Sequence, residues 1–350
     1  MSGQGGGAVP GSGGPAGNAG TASVLKLESE NNPCARTSAS TASASGSSAT
    51  STLPATTGPA TGPSARPRGL EDPAHRVEDI KAAVSFLTTR DEADPDRIGM
   101  LGICASGRYG LAAAATDHRI RAVATVSAVD IARQFREGAD GTQDPAVIQG
   151  MLDTAAAART AEARGEGTRT FKLFPDTEEE ARRGGPYVFE GWEYYCTQRA
   201  AHPRSAKALT WSSIDRIVTF DAFRAVDLIA PRPLLMIAGR EAVTSWLSVQ
   251  ALQQARGPKE LLWIDGAVHN DLYDKEQDVG PAITKLTGFF TENLAADTPA
   301  EATPARQIPL EAPDEQSAPA PAGALSSSNA PPTHTFAAIT GLPLGFSIHP

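Results

Sequence analysis

The chain has 350 residues, with 31 Lys and Arg against 40 Asp and Glu and a formal net charge of −9. That acidic balance argues against a nucleic-acid partner, whose phosphates call for a basic face. Three cysteines, Cys34, Cys104 and Cys196, are too few and too scattered for a disulfide framework or a zinc ligand set, which fits a reducing compartment.

Residues 1 to about 70 are dominated by Gly, Ala, Ser, Thr and Pro, and residues 296–350 are again rich in Pro and Ala. Neither stretch offers enough apolar surface to offset an ordering cost of roughly 1–2 kcal/mol per residue, so both are expected to be disordered. One domain is expected over about 71–295. Met1 to Gly20 lacks a basic segment followed by an apolar core, and no apolar run approaches the roughly 20 residues that span a bilayer. No membrane association is expected, and a cytoplasmic location is.

Asp72-Pro73 opens a helix with a capping side chain and a proline at its first position, and Val77, Ile80, Val84 and Leu87 give it one apolar stripe. Asp94-Pro95-Asp96 reads as a turn, Ile98 to Ile103 as a strand, Gly107 to Ala115 as a helix and Ala122 to Ser127 as a second buried strand. Such alternation predicts a mostly parallel sheet covered on both faces. Residues 131–225 interrupt it with an Ala-rich helical part and a run of aromatics, among them Phe171, Phe174, Tyr187, Trp192, Tyr194 and Tyr195. A cap over the strand ends, where α/β sheets place their ligands, is expected there. Pro233 to Ala238, Ser245 to Ala255, Leu261 to Ile264 and Asp278 to Leu294 then read as strand, helix, strand and amphipathic helix.

The chemistry centres on Gly102-Ile103-Cys104-Ala105-Ser106-Gly107, where a strand runs straight into a helix and small residues flank a thiol. A tight elbow needs small neighbours, because bulkier side chains collide as the backbone reverses and lifts its middle residue into the open. Cys104 would then face a helix N-terminus, whose partial positive charge favours thiolate, as suits a nucleophile. Ser106 is the rival nucleophile, but a frame centred on it puts Arg108 where a small residue belongs. His269, five residues beyond the last strand, sits where a loop at the carboxyl end of a sheet can bring it to the thiol.

Three segments, Gly102 to Gly107, Ala230 to Gly239 and Gly266 to Tyr273, together with the aromatic insertion, resemble the dienelactone-hydrolase-like α/β-hydrolases, near their polyketide-transferase-like members. The resemblance covers about 71–295 and implies an α/β-hydrolase fold with a helical cap over about 131–225. It implies a hydrolase acting on an ester, lactone or thioester: Cys104 attacks the carbonyl, His269 takes and returns the proton, and the Ala105 backbone N–H serves the oxyanion. The partner is a small-molecule acyl substrate, and neither metal nor organic cofactor is implied. Acyl transfer would use the same residues.

Two departures qualify this. Where relatives carry an acid in the loop after the Pro233 to Ala238 strand, the chain has Val243; Glu241 on the same loop and Asp130, just past the second strand, are the alternatives, with Glu241 preferred. The N-terminal strands and Gly-rich oxyanion loop of the family also give way to low-complexity sequence, leaving Val24 to Glu28 as the vestige of a first strand. The sheet is thus expected to end near residue 98 on a bare edge open to oligomerisation. Both departures motivate the alternative of a degenerate, inactive hydrolase that acts as a binding protein.

Overall fold

The computed structural model describes residues 21–27, 38–42, 48–52, 69–202, 205 and 207–295. Its elements in chain order are β1 (Thr21–Leu27), β2 (Ser38–Ala42), β3 (Ser48–Thr52), α1 (Pro73–Leu87), β4 (Ala93–Ile103), α2 (Ala105–Thr116) and β5 (Ile120–Val126). There follow α3 (Ile131–Glu137), α4 (Pro145–Ala163), β6 (Thr170–Lys172), α5 (Glu178–Arg183), α6 (Pro186–Cys196), β7 (Ala208–Thr210) and α7 (Ile214–Val218). The chain then returns to the sheet through β8 (Leu234–Gly239), α8 (Ser245–Gln254), β9 (Lys259–Ile264), α9 (Asp271–Asp274) and α10 (Glu276–Asn293).

The main sheet runs β3-β2-β1-β4-β5-β8-β9. From β1 to β9 the neighbours are parallel, and β2 and β3 add antiparallel strands at one end. The expectation of missing N-terminal strands is therefore corrected. β1 lies parallel on the edge of β4, with Leu25 opposite Met100, and Leu25 is fully buried. The bare edge anticipated as a route to oligomers is occupied, and three segments of the region expected to be disordered pair as strands. The rest of residues 1–68 and residues 296–350 lie outside the described residues. Asp94-Pro95-Asp96, expected as a turn, falls within β4, where the pairing with β1 jumps from Thr21–Ala93 to Ser23–Ile98. The irregularity absorbs a proline that cannot join a regular ladder.

Strand side chains alternate between two faces. Val123, Leu234 and Met236 join Val77, Val84, Leu111 and Ala251 on the face covered by α1, α2 and α8, while Ala124, Leu235 and Ile237 meet Phe290 of α10 and Leu294 at its end on the other. A third cluster, Phe135, Ile148, Met151, Phe171, Leu209 and Ile214, lies wholly in the insertion between β5 and β8. The insertion thus carries its own apolar core and is held over the carboxyl ends of the strands. No helix among the described residues is long and apolar enough to cross a membrane.

Candidate active site

β4 delivers the chain to Cys104, whose backbone stands at φ 56° and ψ −128°. A side chain in that region costs on the order of 1–3 kcal/mol and persists only where the surroundings enforce it. Here the Cys104 N–H donates to the Val126 carbonyl at 3.1 Å, and the Cys104 carbonyl accepts from Gly107 at 3.0 Å and Val129 at 3.1 Å. A Cβ on Gly102 would lie 2.6 Å from both the Ser106 oxygen and the Gly107 Cα, and one on Gly107 would lie 2.8 Å from the Ala128 Cβ. The small residues are there because strand, turn and helix touch backbone to backbone. Ala105 opens α2, so its N–H is among the helix-start donors that have no intrahelical acceptor.

His269 arrives from the loop after β9, in contact with the end of β8. A Cβ on Gly239 would collide with the Ala267 carbonyl, and the Glu241 N–H donates to that same carbonyl at 3.0 Å. Ser127 Oγ donates to the His269 carbonyl at 3.0 Å, and the Glu190 carboxylate accepts from the His269 N–H. Arg199 binds the Asn270 carbonyl at 3.2 Å and the Asp274 carboxylate at 2.6 Å. The histidine loop is thus clamped by the sheet on one side and by the cap on the other.

The ring itself is 2% exposed. Thr244 Oγ1 lies 2.7 Å from Nδ1, and Tyr273 Oη lies 2.6 Å from Nε2. Tyr273 Oη also hydrogen-bonds the Cys104 side chain, so the tyrosine hydroxyl links thiol and imidazole. With no carboxylate on the ring among the described residues, burial brings the His269 pKa down to about 4, and the imidazole is neutral at pH 7.

Of the residues expected at the site, Cys104, Ala105 and His269 are brought together on one cavity. The two candidate acids are not. Glu241 is exposed, because its N–H is what turns toward the histidine loop. Asp130 is buried against Arg108, caps α3 through the Ala132 N–H at 3.0 Å and lies 3.5 Å from Arg133, so its charge is committed elsewhere. Burial pulls the Arg108 pKa down to about 9 and pushes that of Asp130 up, and their mutual attraction opposes both shifts. Thr244, one residue beyond Val243, holds the position beside Nδ1. Thr244 and Tyr273 escaped the sequence reading. The available signal for Tyr273 was its place four residues after His269, one helical turn on.

The cavity is about 90 Å³ and is walled mainly by Phe135, Leu173, Phe174, Tyr187, Val188 and Tyr195 of the insertion, with Glu71 and Gln134 as polar residues in its lining. Tyr187 Oη accepts from Gln134 at 2.7 Å, and its ring meets His269 edge to face at 5.9 Å. Tyr194 packs likewise on Tyr273 at 5.1 Å. The cap therefore builds the chamber and packs against the His269 and Tyr273 rings.

A mostly parallel sheet, a strained strand-to-helix turn at the end of an inner strand and a histidine on the loop after the last strand define an α/β hydrolase fold. The chain belongs to the α/β-hydrolase-like family that includes the uncharacterized protein YcjY of Escherichia coli, with which it is 35% identical over 229 residues, 65% of this chain and 74% of YcjY. Protein PA2218 of Pseudomonas aeruginosa is 32% identical over 232 residues, 65% of this chain and 61% of that protein. The PA2218 crystal structure matches at a TM-score of 0.60 with 30% identity, covering 65% of this chain and 70% of that one. More distantly, the acyltransferase drtE of Aspergillus calidoustus is 23% identical over 240 residues, 64% of this chain and 71% of drtE. The thiohydrolase apmlB of Arthrinium phaeospermum is 24% identical over 202 residues, 56% of this chain and 61% of apmlB. No protein-family profile matches the chain.

Proposed function

We propose that the protein is an acyl-processing enzyme in which Cys104 and His269 act as a nucleophile–base dyad on a small ester, lactone or thioester. The Cys104 sulfur bonds to the carbonyl carbon as its proton passes to the imidazole, and the Ala105 N–H donates to the oxyanion. The bond to the leaving group then breaks as His269 returns the proton to it. Water, deprotonated by the same imidazole, cleaves the thioacyl bond and regenerates the thiol. The observation that carries this reading is the strained backbone of Cys104 in a cavity shared with a buried, neutral imidazole.

The thiol suits a histidine whose Nδ1 partner is the Thr244 hydroxyl. A free cysteine ionises near pH 8.5, so the base has far less to do than it would for a serine hydroxyl. The names of the relatives, a thiohydrolase and an acyltransferase, support the same chemistry with two different acceptors. Transfer to an alcohol or amine would use the same residues, with exclusion of water by the aromatic cap deciding the acceptor. The cavity suits a compact, apolar acyl group, and the resemblance to dienelactone-hydrolase-like enzymes extends the proposal to lactones.

Turnover of p-nitrophenyl acetate and butyrate and of short acyl thioesters tests it. Wild-type protein should turn over at least one series, Cys104→Ala and His269→Ala should not, and Glu241→Gln should match wild type. Turnover that survives Cys104→Ala overturns the assignment.

A further inference from the structure

The thiol and the imidazole do not meet alone: the Tyr273 hydroxyl stands between them, 2.6 Å from Nε2 and hydrogen-bonded to Cys104. We propose that Tyr273 is a proton relay, carrying the thiol proton to His269 in the acylation step proposed above, on which this inference rests. The S–H bond breaks as a new O–H bond forms on the tyrosine, and the tyrosine's original proton moves to Nε2. The products are thiolate and imidazolium, with the tyrosine unchanged.

One tautomer of His269 completes such a chain. A neutral imidazole that donates from Nδ1 to Thr244 Oγ1, at 2.7 Å, has its Nε2 lone pair free to accept from the tyrosine. The tyrosine oxygen is then an acceptor for the thiol. The groups around Tyr273 keep its proton in place until the relay fires. Burial raises its pKa well above the ordinary tyrosine value, and Cys104, Tyr195 and Tyr187 add to the rise. The hydroxyl therefore hands on protons without resting as a phenolate. The geometry is built, since α9 starts at Asp271 and the Tyr273 N–H donates to the Asn270 carbonyl at 3.2 Å, while the Tyr194 ring of α6 holds the phenol from the cap side.

Tyr273→Phe removes only the bridging oxygen. The rate of Cys104 acylation by p-nitrophenyl acetate, followed by the release of p-nitrophenolate in a single turnover, should fall about tenfold or more at pH 7, and the deficit should shrink toward pH 9, where thiolate forms without the relay. A loss of equal size at every pH marks a packing role and overturns the relay. An unchanged or faster rate overturns it as well, because thiol and imidazole then work directly. If the phenylalanine variant does not fold, as read by circular dichroism, a fluorinated tyrosine at 273 replaces it. Its more acidic hydroxyl should shift the pH profile, and an unshifted profile refutes the proposal. If wild-type Cys104 is never acylated, the failure belongs to the proposed function rather than to the relay.

Discussion

Gly102→Ala tests whether backbone contact at the turn is what holds the thiol in place. The added Cβ would sit 2.6 Å from the Ser106 oxygen and the Gly107 Cα, whereas ordinary contact begins at 3.4 Å. Both obstacles are backbone, so no side chain can swing away, and the turn must open by about 0.8 Å. A misplacement of about 1 Å at a reacting atom costs on the order of 10²-fold, so acylation of Cys104 should fall by tens to about a hundredfold. Overpacking of this kind also lowers stability by roughly 1–3 kcal/mol. Gly150→Ala is the control: it lies within α4, its Cβ meets nothing within 4 Å, and it should stabilise by about 0.5–1 kcal/mol with activity unchanged. The assay is single-turnover acylation beside a urea melt for each variant. A Gly102→Ala protein within about twofold of wild type in both rate and stability would show that backbone contact at this turn does not position the thiol.

Three further outcomes follow from the site. His269 is charged in the unfolded chain below pH 6.5 but neutral in the fold down to about pH 4, so its contribution of about 3 kcal/mol is complete above pH 6.5 and lost as pH falls toward 4. Glu190 runs the other way: burial and Asp271 raise its pKa to about 7, so the folded chain holds a proton that the unfolded chain releases, and stability falls as pH rises toward 7. Urea melts from pH 4 to 8 should therefore be nearly flat for wild type around pH 4.5–6.5 and rise with pH in Glu190→Gln; parallel profiles contradict the Glu190 assignment, and a flat Glu190→Gln profile contradicts that of His269. Thr244→Asp places a carboxylate beside Nδ1, where attraction of about 4 kcal/mol at an effective dielectric of 20, reduced by burial of the new charge, should raise the His269 pKa by about 2 units. An NMR titration of the ring reads this directly, and an unmoved pKa shows that Thr244 is not the Nδ1 partner. Asp130→Asn keeps the α3 cap but strands Arg108, and should cost about 3–5 kcal/mol in a urea melt while the acylation rate of folded protein stays near wild type. A selective loss of rate would restore Asp130 to the site.

The parts of the molecule legible in the sequence are those whose local pattern and fold agree. Ile98 to Ile103 and Pro233 to Ala238 are dense apolar runs bounded by turn residues, and small-residue spacing around Cys104 marks a backbone crossing that the glycine contacts explain. β2 and β3 were not legible, because Ser-Ala-Ser-Thr-Ala and Ser-Ala-Thr-Ser-Thr offer no apolar alternation, and their pairing is decided by the strand beside them. β1 left only Val24, Leu25 and Leu27 as a trace. The residue beside Nδ1 failed for a similar reason. Which side chain of the loop after β8 turns inward is set by the Glu241 to Ala267 hydrogen bond, a contact between segments far apart in sequence. Glu190 and Arg199 act on the histidine loop from the cap, and nothing in the local sequence announces a partner across that gap.

In this mechanism sulfur, not oxygen, becomes covalently attached to the acyl group. Wild-type protein mixed with p-nitrophenyl butyrate, quenched in acid within the first turnover and digested, should show one butyryl group by peptide mass spectrometry, on the peptide carrying Cys104. The same mass increment on Ser106, or its persistence in Cys104→Ala, would rule out Cys104 as the nucleophile.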